Sequence, residues 1–133
     1  MNYALDTNVI ISILHPFPNV CKNFNEAVER GDSIIIPPIV HYEVRRGFLY
    51  KSAPKKENAY RILTKQYNVG EMNRIMLEQA AEIYADLRHI GFTTGDADIL
   101  IAAFCIVNDY TLVIDNTNHF KIINGLKLTN WAD

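Results

Sequence analysis

Short runs of strand character alternate along the whole chain with longer segments of helical periodicity. The runs lie at residues 1–6, 33–36, 111–114 and 127–131. Parallel strands need long crossover connections, and those connections are usually helices. The alternation therefore predicts an α/β fold in three layers, with a mainly parallel central sheet flanked by helices.

Prolines and glycines mark the ends of the predicted helices. Pro38 and Pro54 suit first turns, where the missing N–H costs nothing, and Gly31 and Gly91 suit C-terminal caps. Apolar spacing and these signals predict helices at residues 7–14, 20–30, 38–50, 54–67, 73–90, 99–108 and 118–123, and an extended piece at 68–70. No linker divides the 133 residues, so a single domain, 1–133, is expected.

Composition excludes several classes of protein. Apolar residues make up 49% of the chain, which is too many for a disordered protein. Two cysteines, Cys21 and Cys105, are too few for a disulfide scaffold and favour a reducing compartment, the cytoplasm. The N-terminus has no signal-peptide pattern, and apolar runs fall far short of the roughly 20 residues of a membrane helix. A cytoplasmic protein without a membrane partner is expected.

Four acids occupy corresponding places in the predicted fold. Asp6 and Asp115 each follow a predicted strand directly, whereas Glu43 and Asp98 lie early in predicted helices. Since the carboxyl ends of parallel strands meet at one edge of a sheet, and ligands bind there, the four side chains are expected to form one site.

Clustered carboxylates repel one another unless a cation joins them or some are protonated. Oxygen ligands suit Mg²⁺, with Mn²⁺ as the alternative. The four histidines, His15, His41, His89 and His119, lack the spacing of a zinc site. The acids therefore predict a magnesium site.

Each acid also has a purely structural interpretation: helix capping or the helix dipole, ion pairing, or a turn. Capping or the helix dipole would explain Asp6, Asp96 and Asp98. Ion pairing would explain Glu43, which lies beside Arg45 and Arg46, and a turn would explain Asp115 beside Asn116. For Asp96 the capping interpretation is preferred. For the other four acids, their common edge favours a shared site.

Basic residues concentrate in one stretch of a chain whose net charge is −2. Between positions 45 and 65 the single acid, Glu57, stands among Arg45, Arg46, Lys51, Lys55, Lys56, Arg61 and Lys65. Such a stretch is typical of a surface for nucleic-acid phosphates, although a solvated helix face has the same composition. Nearby aromatic side chains suit base stacking, except Phe48, for which core packing is preferred; they are Tyr42, Phe48, Tyr50 and Tyr60.

The ordered acidic segments resemble the motifs of the PIN-domain ribonucleases, and among them the VapC-type toxins of bacterial and archaeal toxin–antitoxin pairs. The segments are Leu-Asp-Thr-Asn-Val-Ile-Ile at 5–11, Tyr-Glu-Val-Arg-Arg-Gly at 42–47, Asp-Ala-Asp-Ile-Leu-Ile-Ala-Ala at 96–103 and Thr-Leu-Val-Ile-Asp-Asn-Thr-Asn-His-Phe at 111–120. In the last of them, the family's acid or asparagine aligns with Asn116 instead of Asp115.

The resemblance implies a Mg²⁺-dependent endoribonuclease that cleaves tRNA, rRNA or mRNA with a metal-activated water, leaving a 3′-hydroxyl and a 5′-phosphate. Asp6, Asp98 and Glu43 would hold the metal. Asp115 or Asn116 would complete the site, and the auxiliary residues would be Asp96, Thr7 and Asn8. RNA would bind to Arg45, Arg46, Lys51, Lys55 and Lys56.

The resemblance also implies two partners, a VapB-like antitoxin and a second copy of the chain in a homodimer. Helices 38–50 and 54–67 are rich in apolar residues, which suits a groove for an amphipathic antitoxin segment. The residues concerned are Ile39, Val40, Val44, Phe48, Leu49, Tyr50, Ile62 and Leu63.

Three other functions compete with this interpretation. A nuclease of the same fold would serve RNA maturation or DNA processing, and a non-catalytic nucleic-acid-binding module would keep the fold without cleavage. A receiver domain also carries acids at strand ends, but its acidic pair at the first strand and its lysine after the last are missing here.

Overall fold

The computed structural model describes residues 1–115 and 120–133, which form four strands and six helices. In chain order the elements are β1 (Asn2–Leu5), α1 (Thr7–Leu14), α2 (Pro18–Glu29), β2 (Ser33–Ile35), α3 (Pro38–Lys51), α4 (Pro54–Gln66), α5 (Arg74–His89), α6 (Asp96–Asn108), β3 (Thr111–Ile114) and β4 (Leu128–Asn130).

The four strands form one parallel sheet in the order β2-β1-β3-β4. The chain leaves β1 through α1 and α2 to reach β2 on one side, and later returns through α6 to β3 on the other side. The carboxyl ends of β1 and β3 therefore flank the point where the strand order reverses, which is where such sheets bind ligands. The predicted α/β architecture is confirmed.

Most helix limits follow the local signals. Pro18, Pro38 and Pro54 each occupy the first turn of a helix. Helix α2 begins at Pro18, two residues before the predicted start, and α6 begins at Asp96, three residues early. In α6 the extended Gly95 is the N-cap, so both Asp96 and Asp98 fall in the first turn, where the helix dipole favours negative charge.

The predicted helix at 118–123 is wrong over the residues that the structure describes. Residues 120–125 form turns, in which the Ile123 N–H donates to the Phe120 carbonyl over 3.1 Å. The remainder of that prediction, at 118 and 119, lies outside the described residues.

The core lies between the sheet and the helices. Ala4, Leu5, Leu112, Val113 and Ile114 are fully buried in the two central strands. Strands buried on both faces read as continuous apolar runs, which is why these segments show no alternation. Among the described helices, none combines the length and the apolarity that a membrane crossing demands.

The predicted extended piece at 68–70 lies beside the end of β2. The Ile36 N–H donates to the Asn68 carbonyl over 2.9 Å, and the Gly70 N–H donates to the Ile36 carbonyl over 2.8 Å. A side chain at Gly70 would collide with the buried ring of Phe104 in α6, so this close approach requires glycine.

Candidate active site at the carboxyl edge of the sheet

A cavity of about 240 Å³ opens at the carboxyl ends of β1 and β3. We call it the acidic cavity. All four predicted acids line it, and the described residues of its wall are Asp6, Thr7, Asn8, Glu43, Asp98, Asp115 and Phe120. The sheet edge thus brings together carboxylates that are up to 109 positions apart, from Asp6 to Asp115.

Asp6 connects β1 to α1 and lies beside β3, since its backbone N–H donates to the Val113 carbonyl over 3.0 Å. It occupies the N-cap position of α1 with an extended backbone, but its carboxylate makes no capping hydrogen bond in the described residues. Capping therefore does not account for this half-buried acid.

Glu43 is held by a neighbour on each side. The hydroxyl of Thr7 donates to Glu43 Oε1 over 2.8 Å, and Arg46 Nη2 lies 3.6 Å from Glu43 Oε2. Of the two arginines considered as ion-pair partners, only Arg46 contacts Glu43, because Arg45 is paired with Glu57 at 2.8 Å. Thr7 thus fixes the carboxylate at the mouth of the cavity.

Two acids in the first turn of α6 have different surroundings. Asp98 is half-buried and lines the acidic cavity, whereas Asp96 is exposed and is absent from its wall. Residues two apart point in different directions on a helix. The geometry therefore agrees with the preference for Asp96 as a structural first-turn acid.

Asp115 extends β3 into the cavity wall, and its backbone carbonyl accepts a hydrogen bond from Asn130 Nδ2 of β4 over 3.4 Å. Asn116, the alternative to Asp115, lies outside the described residues. Asn8 is exposed at the rim of the same cavity.

The basic residues divide between two faces of α3 and α4. Lys51 and Lys56 line a groove of about 310 Å³, the α3 groove, which shares Thr7 and Glu43 with the acidic cavity. Lys55 is exposed but is absent from the wall of that groove. Only part of the basic stretch therefore borders the acids.

The aromatic residues of the same helices also separate. Tyr42 and Tyr50 are 58% and 89% exposed, whereas Phe48 and Tyr60 are buried in the core. The stacking role suggested for Tyr60 is wrong, because a buried ring presents no face to a base. Phe48 packs in the core, as preferred.

Comparison with known proteins agrees with this fold and site. The family model described as "PIN domain" matches residues 3–125. The chain belongs to the PIN-domain family. It is 30% identical over 133 residues to Ribonuclease VapC2 of Rickettsia felis, with 98% of both chains covered, which places it in the VapC group.

Solved structures of PIN domains from that group share the fold. A crystal structure of VapBC2 from Rickettsia felis, bound to a DNA fragment from its promoter, matches with a TM-score of 0.90 and 27% identity over 98% of this chain and 99% of that chain. The structure of VapBC-1 from nontypeable Haemophilus influenzae matches with a TM-score of 0.86 and 25% identity over 100% of both chains. The predicted family is confirmed.

The electrostatics of this PIN domain centre on Asp6. Burial raises the pKa of its carboxyl group from 3.8 to about 7, although the hydrogen bond from the Thr7 backbone acts the other way. The negative charges of Asp98, Glu43 and Asp115 contribute to the same rise. Burial and the charges of the other three acids therefore both disfavour the ionised form of Asp6.

The donor set fits a hard divalent cation. Its oxygen ligands are carboxylates, and none of the described residues that line the cavity is basic. No three acidic, histidine or cysteine side chains in the described parts of the chain are close enough to hold one ion together. Like charges keep such side chains apart, and a Mg²⁺ ion needs only one or two carboxylates because it retains several waters.

One wall residue escaped sequence reasoning. Phe120 is buried and lines the acidic cavity, yet as the aromatic residue that ends the fourth motif it carries no signal of a site by itself. The Thr7–Glu43 hydrogen bond joins residues 36 positions apart, so it too is visible only in the tertiary structure.

We predict that the stability of the metal-free protein falls as the pH rises through 7. The folded state raises the pKa of Asp6 from 3.8 to about 7, so Asp6 stabilises the fold fully below 3.8 and progressively less up to about 7. The loss amounts to at most about 4 kcal/mol. Thermal melting in chelator at about pH 5 and about pH 8 measures the part of this loss that falls between those pH values, at most about 3 kcal/mol.

The control for this measurement is a substitution of the exposed acid Asp96, two residues from Asp98 of the site. Asp6→Asn should remove most of the pH dependence and melt above wild type at about pH 8, whereas the exposed Asp96→Asn should keep the wild-type dependence. Equal dependence in wild type and Asp6→Asn would mean that Asp6 is ionised normally.

Proposed function

We propose that the protein is a divalent-metal-dependent endoribonuclease and the toxin of a toxin–antitoxin pair. The observation that supports this most directly is the convergence of four carboxylates on one cavity at the carboxyl edge of a PIN fold. The VapC2 relative is named a ribonuclease. Four acids from four different helices and strands share a partly desolvated cavity, which is unfavourable for stability and typical of a functional site.

Asp6 and Asp98 are the proposed principal metal ligands, and Glu43 is proposed to contact the metal directly or through a water. Mg²⁺ is the metal proposed, with Mn²⁺ as a substitute. All three side chains offer oxygen, which is the donor that these cations prefer. When bound, the cation would lower the pKa of a coordinated water and stabilise negative charge on the scissile phosphate. No side-chain nucleophile is then needed.

The remaining residues of the cavity orient this set. Thr7 holds one oxygen of Glu43 through its hydroxyl, which leaves the second oxygen for the cation or for Arg46. Asp115 lines the cavity from the end of β3 and is proposed to complete the site or to orient a water. Asn116 keeps its proposed alternative role, and Asn8 is placed to contact substrate at the rim.

RNA would enter the cavity over the α3 groove. Lys51 and Lys56 line this groove beside Glu43, so phosphates that flank the cut would meet positive charge before they reach the acids. Exposed Tyr42, whose ring lies 5.1 Å from the Arg46 guanidinium carbon, offers a stacking surface for an unpaired base.

The same groove suits the antitoxin. Its floor is formed by Ile11, Val44 and Phe48, and the two solved relatives described above are VapBC assemblies. We propose that an amphipathic segment of a VapB-like antitoxin lies in the α3 groove and sends a basic side chain to the carboxylates. Inhibition would then block both the RNA path and the metal ligands. A homodimer of the chain remains a prediction.

We predict that Asp6→Asn and Asp98→Asn each reduce RNA cleavage at least about 100-fold, because each removes a metal ligand whose charge the reaction needs. Gel assays of purified variants with Mg²⁺ and cellular RNA measure the loss. Neither variant should melt below wild type in metal-free buffer, because each substitution relieves repulsion among the acids.

Asp96→Asn is the matched control for this experiment, since it removes a carboxylate from the same turn of α6 outside the cavity. It should cut at nearly the wild-type rate. Equal losses at Asp96 and Asp98 would show that the wrong acid of the pair was chosen, and full activity of Asp6→Asn would show that Asp6 is not a metal ligand. Absence of cleavage by wild type would favour the non-catalytic module.

A second prediction separates two neighbouring lysines of α4. Lys56→Gln should weaken RNA binding and make its salt dependence less steep, by about 0.7 in the slope of log K against log salt for each lost contact. Lys51→Gln should behave in the same way. Lys55→Gln removes an equal charge away from the groove and should have a smaller effect, as measured by fluorescence anisotropy in chelator.

The partner is tested by co-expression with the protein encoded immediately upstream. The two proteins should co-purify, and Gly47→Trp, which places a large ring in the α3 groove where no atom lies within 4 Å of the added Cβ, should abolish the association. Separate purification of the wild-type proteins, together with normal growth of cells that express this chain alone, would favour the housekeeping nuclease.

A further inference from the structure

A second, smaller cavity lies on the other flank of α3 and has no part in the site described above. Its volume is about 190 Å³, and it is lined by His41, Arg45, Tyr60, Arg61 and Thr64. We call it the arginine pocket. Every described side chain of its wall carries a hydrogen-bonding group, and two of the five are permanently cationic.

The two arginines share a single carboxylate. Arg45 Nη1 lies 2.8 Å and Arg61 Nη2 lies 3.4 Å from the same oxygen of Glu57, Oε1. Two positive charges against one negative charge leave the group with a net charge of +1. An arginine has five N–H donors, so each guanidinium retains donors beyond the one that faces Glu57.

The polar floor of the pocket is built rigidly. His41 Nδ1 lies 2.7 Å from the hydroxyl of Tyr60, whose side chain is buried, and the two rings stack with centroids 5.6 Å apart. With Nδ1 engaged by the tyrosine, the second ring nitrogen of His41 is the one left for a ligand. The Thr64 hydroxyl is engaged too, since it donates to the Arg61 carbonyl over 2.9 Å. Arginines and a histidine around a small cavity are a donor set that binds a phosphate group.

The position of the pocket suggests which phosphate it binds. On α3, His41 and Arg45 lie one turn apart on the flank opposite to Glu43. The solvent-facing surface between the two flanks carries Tyr42 and Arg46, and the Arg46 guanidinium lies over the Tyr42 ring. A strand that leaves the acidic cavity would cross this stacked pair and reach the arginine pocket, over a helix roughly 10–12 Å wide.

We propose that the arginine pocket binds a backbone phosphate of the RNA strand, at a distance from the phosphate that is cut. The inference rests on the ribonuclease function proposed above. The pocket would serve as an anchor that recognises charge instead of sequence, with Tyr42 and Arg46 supporting the strand between anchor and cut. Nothing in the cleavage chemistry requires it.

Arg61 is the residue to test, because its side chain is 63% exposed and its ion pair with Glu57 is long, so its loss should leave the fold intact. The variants are Arg61→Gln and, as a control for loss of charge, Arg88→Gln on the exposed surface of α5. Binding of oligouridylate of about 16 nucleotides and of the dinucleotide UpU is measured in chelator, where no RNA is cut.

Arg61→Gln should bind the long oligouridylate several-fold more weakly than wild type, with a salt slope less steep by about 0.7, whereas Arg88→Gln should match wild type. UpU, which cannot span from the cavity to the pocket, should bind equally to all three proteins. In the cleavage assay, Arg61→Gln should raise KM on long RNA and leave kcat unchanged.

Four results would overturn the proposal. They are equal binding of the long RNA by wild type and Arg61→Gln, an equal loss in Arg88→Gln, failure of wild type to bind oligouridylate, and a loss in Arg61→Gln that is as large for UpU as for the long RNA. If inorganic phosphate shifts the Thr64 amide resonance of wild type while Arg61→Gln leaves RNA binding unchanged, the pocket holds a free anion and the proposal fails. If Arg61→Gln weakens only the co-expressed antitoxin complex, the occupant is a protein carboxylate and the proposal also fails.

The proposed function is tested separately. Metal-dependent cleavage by wild type and its loss in Asp6→Asn bear on the ribonuclease, whatever Arg61 does. If wild type cleaves RNA and Arg61→Gln binds RNA normally, only the proposed anchor is wrong. If wild type does not cleave RNA and Arg61→Gln binds RNA more weakly, the ribonuclease function is wrong and the RNA-binding pocket stands.

Discussion

Repulsion among carboxylates that the sheet brings together is the constraint on which the functional part of this molecule depends. The backbone of a parallel sheet directs the ends of β1 and β3 to one edge, and both strands end on an acid. Burial destabilises the ionised acids in the folded state, and the pKa of Asp6, raised to about 7, reflects this destabilisation. A cation in such a site would relieve the repulsion that folding created, which is the physical basis of the metal site proposed above.

Helix α3 connects this site to the surfaces around it. One flank presents Glu43 to the acidic cavity and Lys51 to the α3 groove, and the opposite flank presents Arg45 to the arginine pocket. Its buried face holds the helix against the core through Val44 and Phe48. Because one rigid element carries all three surfaces, the distances between cut, groove and pocket are fixed by the helix itself, not by a mobile loop.

Sequence reasoning succeeded where the signal is local. Prolines at first turns and β-branched runs fixed nearly every element, and the ordered acidic motifs indicated the family that the comparison confirmed. It failed at residues 120–123, where an apolar pattern short enough for one helical turn forms turns instead. It also treated the basic stretch as one surface, since spacing along a chain does not tell which side chains a carboxylate such as Glu57 will recruit.

By itself, the sequence determined the α/β class, the parallel sheet and which acids line the acidic cavity. Periodicity, turn residues and strand-end carboxylates are properties of neighbouring positions. Only the tertiary structure decided that Thr7 holds Glu43 and that Arg45 turns away toward Glu57. Those outcomes depend on which flank of a helix faces the sheet edge and on pairings between residues far apart in the chain. Long-range packing sets both, and it leaves no trace in the spacing of the residues concerned.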